Sequence, residues 1–502
     1  MSTTYSEYLR DRTGWFFGLT GLQLTLLAMG GLPVWLTVNA ARWAWLLLWI
    51  PVWLLLMFLV VVPVRGWTAA QWIGVLAAHG IGGAMGWTRW QSKVAAGIAD
   101  DLDLPDLPGV LAGIEIHAGP PYAHHLTRVA VIQDHARRTW AATAVIEHPG
   151  LGLTELEARD RMGAGLAELC EAASRVELVE VITVQVRTVP DDGAERQDWV
   201  RRHRRPDGPD LARRVNEILA AQLLPASVRT EAFVTVVVSE DRISRTAKRA
   251  GSGVSGRARL LYGVLGEVEA RLLGTMGCSR VTWLDTHGLA MAIRTGFEPG
   301  DRASLLAADI ASRGQRRMAT GVPLAAAGPT QAITELRQYR HGDWISITDT
   351  ILLPEQGAVL GALAPVLVPS EAGERRSLTV SLAPVSQRAA GRITGREEMS
   401  AITGAELRRR SGRLERADER RAVGLIRGTD EKLVRGRSLV RVSAAVSVTV
   451  PRSWPTAEIG RRLDASVRLA GYVPQRLDGA QDAAFAASAI PLGVGVRRAR
   501  LK

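Results

Sequence analysis

Two uncharged stretches near the amino terminus limit what this chain can become more than any other feature in it. From Trp15 to Val38 the sequence reads WFFGLTGLQLTLLAMGGLPVWLTV, 24 positions without a charge, and from Trp43 to Val64 it reads WAWLLLWIPVWLLLMFLVVVPV, another 22. As helix the first is about 36 Å long, against a hydrocarbon core of roughly 30 Å. Only Asn39-Ala40-Ala41-Arg42 joins the two, so the pair predicts a tight transmembrane hairpin. A cleaved signal peptide does not fit, because the first run is too long, lacks a small-residue cleavage site and is followed at once by a second.

The flanking charges set an expected orientation. Arg10 and Arg12 precede the first run, Arg65, Arg89 and Lys93 follow the second, and the tip holds only Arg42. The positive-inside bias then places both termini in the cytoplasm, as a multi-pass protein of the inner (cytoplasmic) membrane. Trp15, Trp35, Trp43 and Trp67 lie near the run ends, where an indole prefers the headgroup zone. Gly30-Gly31-Leu32-Pro33 is expected to kink or loosen the first span and to permit close helix approach. A third apolar stretch, Trp67 to Trp87, contains Gln71, His79 and five Gly. It reads as an interfacial helix about 67–87 rather than a third span.

Ten of the 15 Trp fall in the first 90 residues, which hold only two acids, Glu7 and Asp11; the remainder is charged and Trp-poor. Two cysteines in 502 residues exclude a disulfide scaffold and a Cys-rich metal site. The net charge of +12 rests on 58 Arg and only four Lys, the mark of a GC-rich coding bias that makes any Arg cluster weak evidence by itself.

Beyond the head the pattern predicts an α+β body. Strands at Arg128–Gln133, Trp140–His148, Leu178–Val189 and Ala232–Ser239 alternate with helices at Thr154–Ser174 and Asp210–Leu223. Thr154 and Glu157 have capping-box spacing. This order predicts a sheet with helices on one face. A similar pattern returns in strands at Ser377–Ala383, Val440–Val450 and Tyr472–Leu477, with helices near Arg396–Leu425 and at Thr456–Ala470. Between them lie helices at Arg257–Met276 and Leu284–Gly296 and a strand at Trp344–Leu352. No period of 20–50 residues repeats. The expected organisation is a membrane head at 1–92 (spans about 15–38 and 43–64), a connector at 93–107, an α+β subdomain at 108–250, a mainly helical middle with one or two strands at 251–370, and a second α+β subdomain at 371–502. As a fold class this is a membrane-anchored α+β protein, a transmembrane helical hairpin followed by cytoplasmic ferredoxin-like α/β sandwich layers.

Chemistry is sparse. Gly251-Ser252-Gly253-Val254-Ser255-Gly256-Arg257-Ala258 follows the Ala232–Ser239 strand and opens a helix, which imitates a phosphate-binding loop. That loop needs Lys where Arg257 stands and Ser or Thr where Ala258 stands. Gly251, Gly253, Gly256 and Arg257 therefore remain only weak anion-loop candidates. His117, His124, His125 and His135 lack a metal-binding spacing and read as surface-loop histidines. Cys170 and Cys278 read as core sulfur. No catalytic residue, metal or cofactor is predicted. Of two basic runs, Arg408–Arg421 is interleaved with acids and reads as a solvated helix face. The other, Arg201-Arg202-His203-Arg204-Arg205, reads as a loop. There Arg201, Arg202, Arg204 and Arg205 are candidate contacts for lipid phosphate or DNA, although no aromatic residue inside the run could stack bases.

Several short segments, in order, organise these pieces. Phe16–Leu24, Arg65–Trp72 and Gly86–Trp90 resemble the PrgI-type small membrane subunit of Gram-positive type IV secretion systems. Leu107-Pro108-Gly109, Thr139–Ile146, Arg249–Gly253 with the following helix, Met291–Pro299, Trp344-Ile345 and Ala484–Gly493 resemble the body of an actinobacterial integral membrane family in which that head is fused to a long cytoplasmic part. That body is similar in turn to the motor-less amino-terminal domain of the type IV assembly ATPase. The resemblance implies a role in conjugation or secretion, with a separate ATPase and other channel subunits as partners, and supplies no catalytic residues. The expected function is a non-enzymatic, oligomeric inner-membrane scaffold that docks that ATPase. The alternatives are a membrane-bound nucleotide-binding enzyme using the 251–256 loop and a membrane-tethered partner for transferred DNA.

Overall fold

The structure, a computed structural model, describes residues 4–5, 21–61, 63–64, 67–122, 127–150, 154–191, 193–205, 207–223, 228–251, 253–312, 321–353, 358–359, 361–395, 428, 431, 433 and 437–495. In chain order the strands are β1 (Thr4–Tyr5), β2 (Pro63–Val64), β3 (Trp67–Thr68), β4 (Arg89–Gln91), β5 (Ile114–Tyr122), β6 (Thr127–Asp134), β7 (Thr139–Glu147), β8 (Val179–Pro190), β9 (Val228–Ser239), β10 (Arg280–Trp283), β11 (Gln331–Thr334), β12 (Tyr339–His341), β13 (Trp344–Leu352), β14 (Ala358–Val359), β15 (Arg375–Pro384), β16 (Val440–Pro451) and β17 (Val473–Arg476). The helices are α1 (Gly21–Asn39), α2 (Trp43–Val61), α3 (Ala69–Ala84), α4 (Leu156–Val176), α5 (Ala194–His203), α6 (Asp210–Leu223), α7 (Glu240–Arg249), α8 (Gly253–Leu273), α9 (Thr286–Phe297), α10 (Arg302–Ser312), α11 (Thr456–Leu469) and α12 (Gln481–Ala489). The chain divides into two compact units, one of residues 9–87 with 388–435 and one of 1–8, 88–387 and 436–502.

In the smaller unit α1 and α2 form a hairpin turned by Ala41, whose φ is 51°. Each is 19 residues, with Pro33 inside α1 and Pro51 inside α2. Gly30 and Gly31 lie where a Cβ would meet Leu56 and Trp53, the close approach expected of that pair. Trp53 Nε1 donates to the Leu27 carbonyl at 3.1 Å, and Gln23 Nε2 to that of Val60 at 2.8 Å. Among the described residues one helix, α2, is long and apolar enough to cross a membrane; the stretch of α1 from Thr25 to Asn39 is a shorter apolar helix. The residues of the first run before Gly21 lie outside the described ones.

The larger unit is built on a thirteen-stranded antiparallel sheet in the order β4-β11-β12-β13-β16-β15-β8-β9-β7-β6-β5, with β10 added beside β7 and β17 beside β13. The order is nearly palindromic about the β8–β15 pair. β7 pairs β9 from Thr139↔Ser239 to Ile146↔Ala232, and β13 pairs β16 from Trp344↔Pro451 to Ile351↔Ala444. β10 covers the last residues of β7 and β17 the last residues of β13, while β6 and β12 cover the first residues of the same two strands. Two halves of like topology, about 114–300 and 331–495, thus meet across β8 and β15. Leu284-Asp285 before α9 corresponds in register to Leu477-Asp478 before α12.

This duplication was not read from the sequence, and it redraws the body. The expected segments 108–250, 251–370 and 371–502 all contribute strands to the one sheet. α4 and α8 do share a face, packed with Val129, Val131, Trp140, Val234, Val236 and Val238. The opposite face is not open, however. There α9 and α12 pack on Ile114, Ile116, Ala130, Ile132, Ala141 and Val237. The strand residues alternate between the two cores, which is why these strands read as nearly continuous apolar runs.

Besides those aliphatics, α12 lies over a band of hydroxyls. Thr143 Oγ1 donates to the Pro491 carbonyl at 2.7 Å, and Gln481 Nε2 to that of Thr348 at 3.0 Å. Ser447 bonds to both Thr348, at 2.5 Å, and Ser488. The small Ala and Ser side chains of QDAAFAASA let this helix approach the sheet closely, and each buried hydroxyl finds a partner. The helix lacks a polar stripe because every residue from Ala484 to Ala489 is buried. The capping-box expectation at Thr154 fails: α4 begins at Leu156 with Glu155 as N-cap, and Thr154 Oγ1 accepts from Arg159 Nε at 3.4 Å. The predicted helix near Arg396–Leu425 lies outside the described residues.

Candidate functional site

The glycine loop occupies a different place from the one its sequence imitates. A ten-residue helix, α7, intervenes between β9 and the loop, so the strand-to-helix turn that a phosphate loop needs is not formed. The segment instead reverses the chain between α7 and α8, with Gly251 at φ 130° and Gly253 at φ 58°, conformations that glycine adopts at little cost. A Cβ on Gly256 would stand 2.5 Å from the Ala247 carbonyl oxygen, so this glycine allows the two helices to touch. Arg257 Nη1 donates to the Gly253 carbonyl at 3.1 Å and Nη2 to Glu240 Oε1 at 3.0 Å. Its guanidinium lies 5.2 Å from the ring centre of the buried Trp140. Gly251, Gly253, Gly256 and Arg257 thus form a helix junction, with the only charged member of the set turned to a carboxylate and an indole.

The basic run is not a loop throughout. Arg201, Arg202 and His203 form the last turn of α5. Asp198, 6% exposed, accepts from Arg201 at 2.6 Å and also pairs with Arg202, and these partners hold its carboxyl below the usual range. The sequence missed this because the partner lies one turn earlier in a helix that its polarity concealed. Arg204 reaches Glu217 of α6 at 3.9 Å. Arg205 stays exposed and has no ion pair among the described residues.

α5 is itself anchored by a chain of charges. Glu195 pairs with Arg229 at 2.5 Å and Arg302 at 3.1 Å, and Glu231 pairs with Arg302 at 3.5 Å and Arg187 at 3.2 Å. Arg187 is fully enclosed, donates to the Ala292 carbonyl at 3.0 Å and lies 4.5 Å from the Phe233 ring centre. Burial lowers its pKa, and Glu231 opposes that shift.

His117 and His135 come together at the β5 edge, where Glu115 Oε2 stands 3.7 Å from one and 3.3 Å from the other. His117 lies on a strand rather than in a loop, stacked on Trp140 at 5.8 Å. His124 and His125 fall outside the described residues. Among the described residues no group of three His, Cys, Asp or Glu could hold a metal ion. Cys170 and Cys278 are buried, and burial pushes the Cys170 thiol up to about 12.

Sequence reasoning also missed the buried ionisable groups of the second half, because each is made across strands. Asp349 on β13 is fully buried opposite Arg476 of β17, whose Nε donates to its Oδ1 at 3.0 Å. Arg476 Nη2 donates to Asp464 Oδ1 on α11 at 2.9 Å. Burial, aided by Asp464, pushes the Asp349 carboxyl up despite that guanidinium. The corresponding pair in the first half is Ala144↔Trp283, wholly apolar. His341, also fully buried, bonds Phe297 O at 2.7 Å and Ser346 Oγ at 2.8 Å. Asp349 and His341 are fully buried, while Arg476 and Asp464 are each about a quarter exposed. Set against known proteins, the chain matches no protein-family profile, and a search of curated proteins finds no match.

Proposed function

We propose that the chain is a membrane-anchored scaffold whose duplicated body recruits a separate protein, in a type IV-like conjugation or secretion apparatus of the kind its motifs resemble. The observation that carries the anchoring is α2, whose Trp43, Leu47, Leu48, Leu54, Leu55 and Phe58 side chains are all more than half exposed. A belt of that size needs an apolar surrounding.

Connectivity supports two crossings. β1 pairs β14 and β4 pairs β11, so the chain belongs to the body both before and after the head. Whatever crosses a membrane between Tyr5 and Arg89 must cross an even number of times. With α2 as one crossing, its hairpin partner α1 supplies the other. α3, at 16 residues or about 24 Å, then lies along the surface. The likeness of the first half to a ferredoxin-like unit rests on the β7-α4-β8-β9-α8-β10 order, in which the strands lie as β10-β7-β9-β8, and the second half repeats that strand order as β17-β13-β16-β15.

The scaffold reading is favoured over the nucleotide-binding one by the position of Arg257, tied to Glu240 and Trp140. The test has two arms. Full-length protein should resist alkaline extraction from membranes, and an Ala41→Cys variant should react with an impermeant maleimide only from the outer side. Tagged protein in mild detergent should bring down a P-loop ATPase or a channel subunit. Alkaline release removes the anchor, and recovery of neither partner removes the scaffold.

A further inference from the structure

The two halves of the sheet end differently at their outer edges. β5, β6 and β7 form a meander in the first half, as β11, β12 and β13 do in the second. Asp134 pairs with both Thr139 of β7 and Ile114 of β5, and His341 with both Trp344 of β13 and Ala332 of β11. Ile114 and Ala332 therefore occupy matching places, as do Ile116 and Thr334. In the second half one more strand closes the row: β4 pairs with β11 at Trp90↔Ala332, and Thr334 N donates to the Thr88 carbonyl at 2.8 Å. In the first half the row stops at β5, and among the described residues no strand pairs its outer side.

The ladder shows which groups this edge presents. His135 N donates to the Gly113 carbonyl at 3.1 Å, and Ala130, opposite Ala118, donates its N–H to the Leu284 carbonyl at 2.8 Å, away from β5. Odd-numbered positions of β5 thus bond to β6, and Ile114, Ile116 and Ala118 turn their N–H and C=O groups outward. The side chains of Ile114 and Ile116 enter the core with α9 and α12. Glu115, its side chain 47% exposed, and His117, 26% exposed, share the opposite face. Pro120 and Pro121 end the edge, since neither has an N–H to offer.

An unpaired edge is a template for another strand, and this one is complementary to itself. When two copies of β5 run antiparallel with Ile116 opposite Ile116, Ile114 meets Ala118 and every outward N–H faces an outward C=O. Glu115 then stands opposite the copy's His117 at both ends of the pair. A shift of one residue either way sets Glu115 against Glu115 or His117 against His117, and like groups directly opposed are unfavourable. We propose that β5 is a homodimer interface, in which a second copy of this chain adds its own β5 antiparallel about Ile116, in the place that β4 fills in the other half. The interface goes beyond the scaffold reading and does not depend on it.

The experiment co-expresses two differently tagged full-length copies, one carrying Glu115→Cys and the other His117→Cys, with the buried Cys170 and Cys278 left in place. Mild oxidation should join the two tags, because facing residues of a non-hydrogen-bonded pair approach to about 4.5 Å between Cα atoms. Two copies of Glu115→Cys, roughly 7–8 Å apart on the diagonal, lie beyond disulfide reach and should join at least about tenfold less. Ala118→Pro removes an outward N–H without touching the β6 ladder, and should turn the detergent-solubilised dimer into a monomer by light scattering with its circular dichroism unchanged. His117→Glu should also lose the dimer, and Glu115→His added to it should restore it. If Ala118→Pro fails to fold, the exchanged pair decides alone. A monomer at every concentration, Glu115→Cys joining to itself as readily as to His117→Cys, a disulfide only to another protein, or no rescue by the exchanged pair overturns the interface.

Discussion

Gln185 and Thr379 stand opposite each other in the register of β8 and β15, and both donate to one acceptor, the carbonyl of Ser488, at 3.0 Å each. They mark the centre of the duplicated sheet, and α12 is fastened there from both halves at once. Gln185→Leu or Thr379→Val leaves the carbonyl one donor, so each should cost about 1 kcal/mol. The double variant strips a buried carbonyl and should cost more than the sum. Thermal unfolding of the full chain in detergent checks this.

Two glycines of α8 should respond in opposite directions. Gly256→Ala puts a methyl 2.5 Å from the Ala247 carbonyl oxygen and should destabilise by about 2 kcal/mol, whereas Gly263 has nothing within 4 Å of its would-be Cβ. Gly263→Ala should gain up to about 1 kcal/mol from helix propensity. Denaturant unfolding of both variants decides it, and equal effects would contradict the helix-junction account of the loop.

Arg257→Glu should destabilise by about 1 kcal/mol by facing Glu240, and Glu240→Arg added to it should restore most of the loss. A binding role for Arg257 predicts no such rescue. Melting curves of the two single variants and the swapped pair separate these outcomes.

The buried carboxyls give a pH dependence of fixed sign. Asp349 and Glu298 are each raised to about 7 by burial. The stability tied to their protonated forms is complete below the ordinary carboxylate value near 4 and is lost as pH rises through about 7. His341, lowered to about 3 by burial, acts oppositely, with stability present above about 6.5 and lost as pH falls towards 3. Asp349→Asn should therefore narrow the fall in melting temperature between pH 5.5 and 8. An unchanged slope would contradict the burial argument.

Much of the frame was legible where one residue type dominates a period. β13 and α6 begin and end where their patterns do, at Trp344–Leu352 and Asp210–Leu223. β5 was hidden because Pro120 and Pro121 break its run at the shift after Ala118. α5 was hidden by its charges and α12 by its lack of any polar side. The duplication was hidden because corresponding positions have exchanged chemistry, as Ala144 and Trp283 against Asp349 and Arg476 show. The candidate loop misled for a local reason, since G-x-G-x-x-G constrains backbone and packing alike and only its partners say which. α6 was visible in the sequence as a helix, but the exposure of its Leu211, Val215, Ile218 and Leu219 side chains is a property of the tertiary structure.

A sheet made of two like halves on one chain behaves as a dimer whose subunits cannot part and need not stay alike. In a true dimer of identical chains, every substitution appears at both ends. Here each end can change alone, so the same frame can keep an apolar pair at one position and hold a buried ion pair at the matching position of the other half.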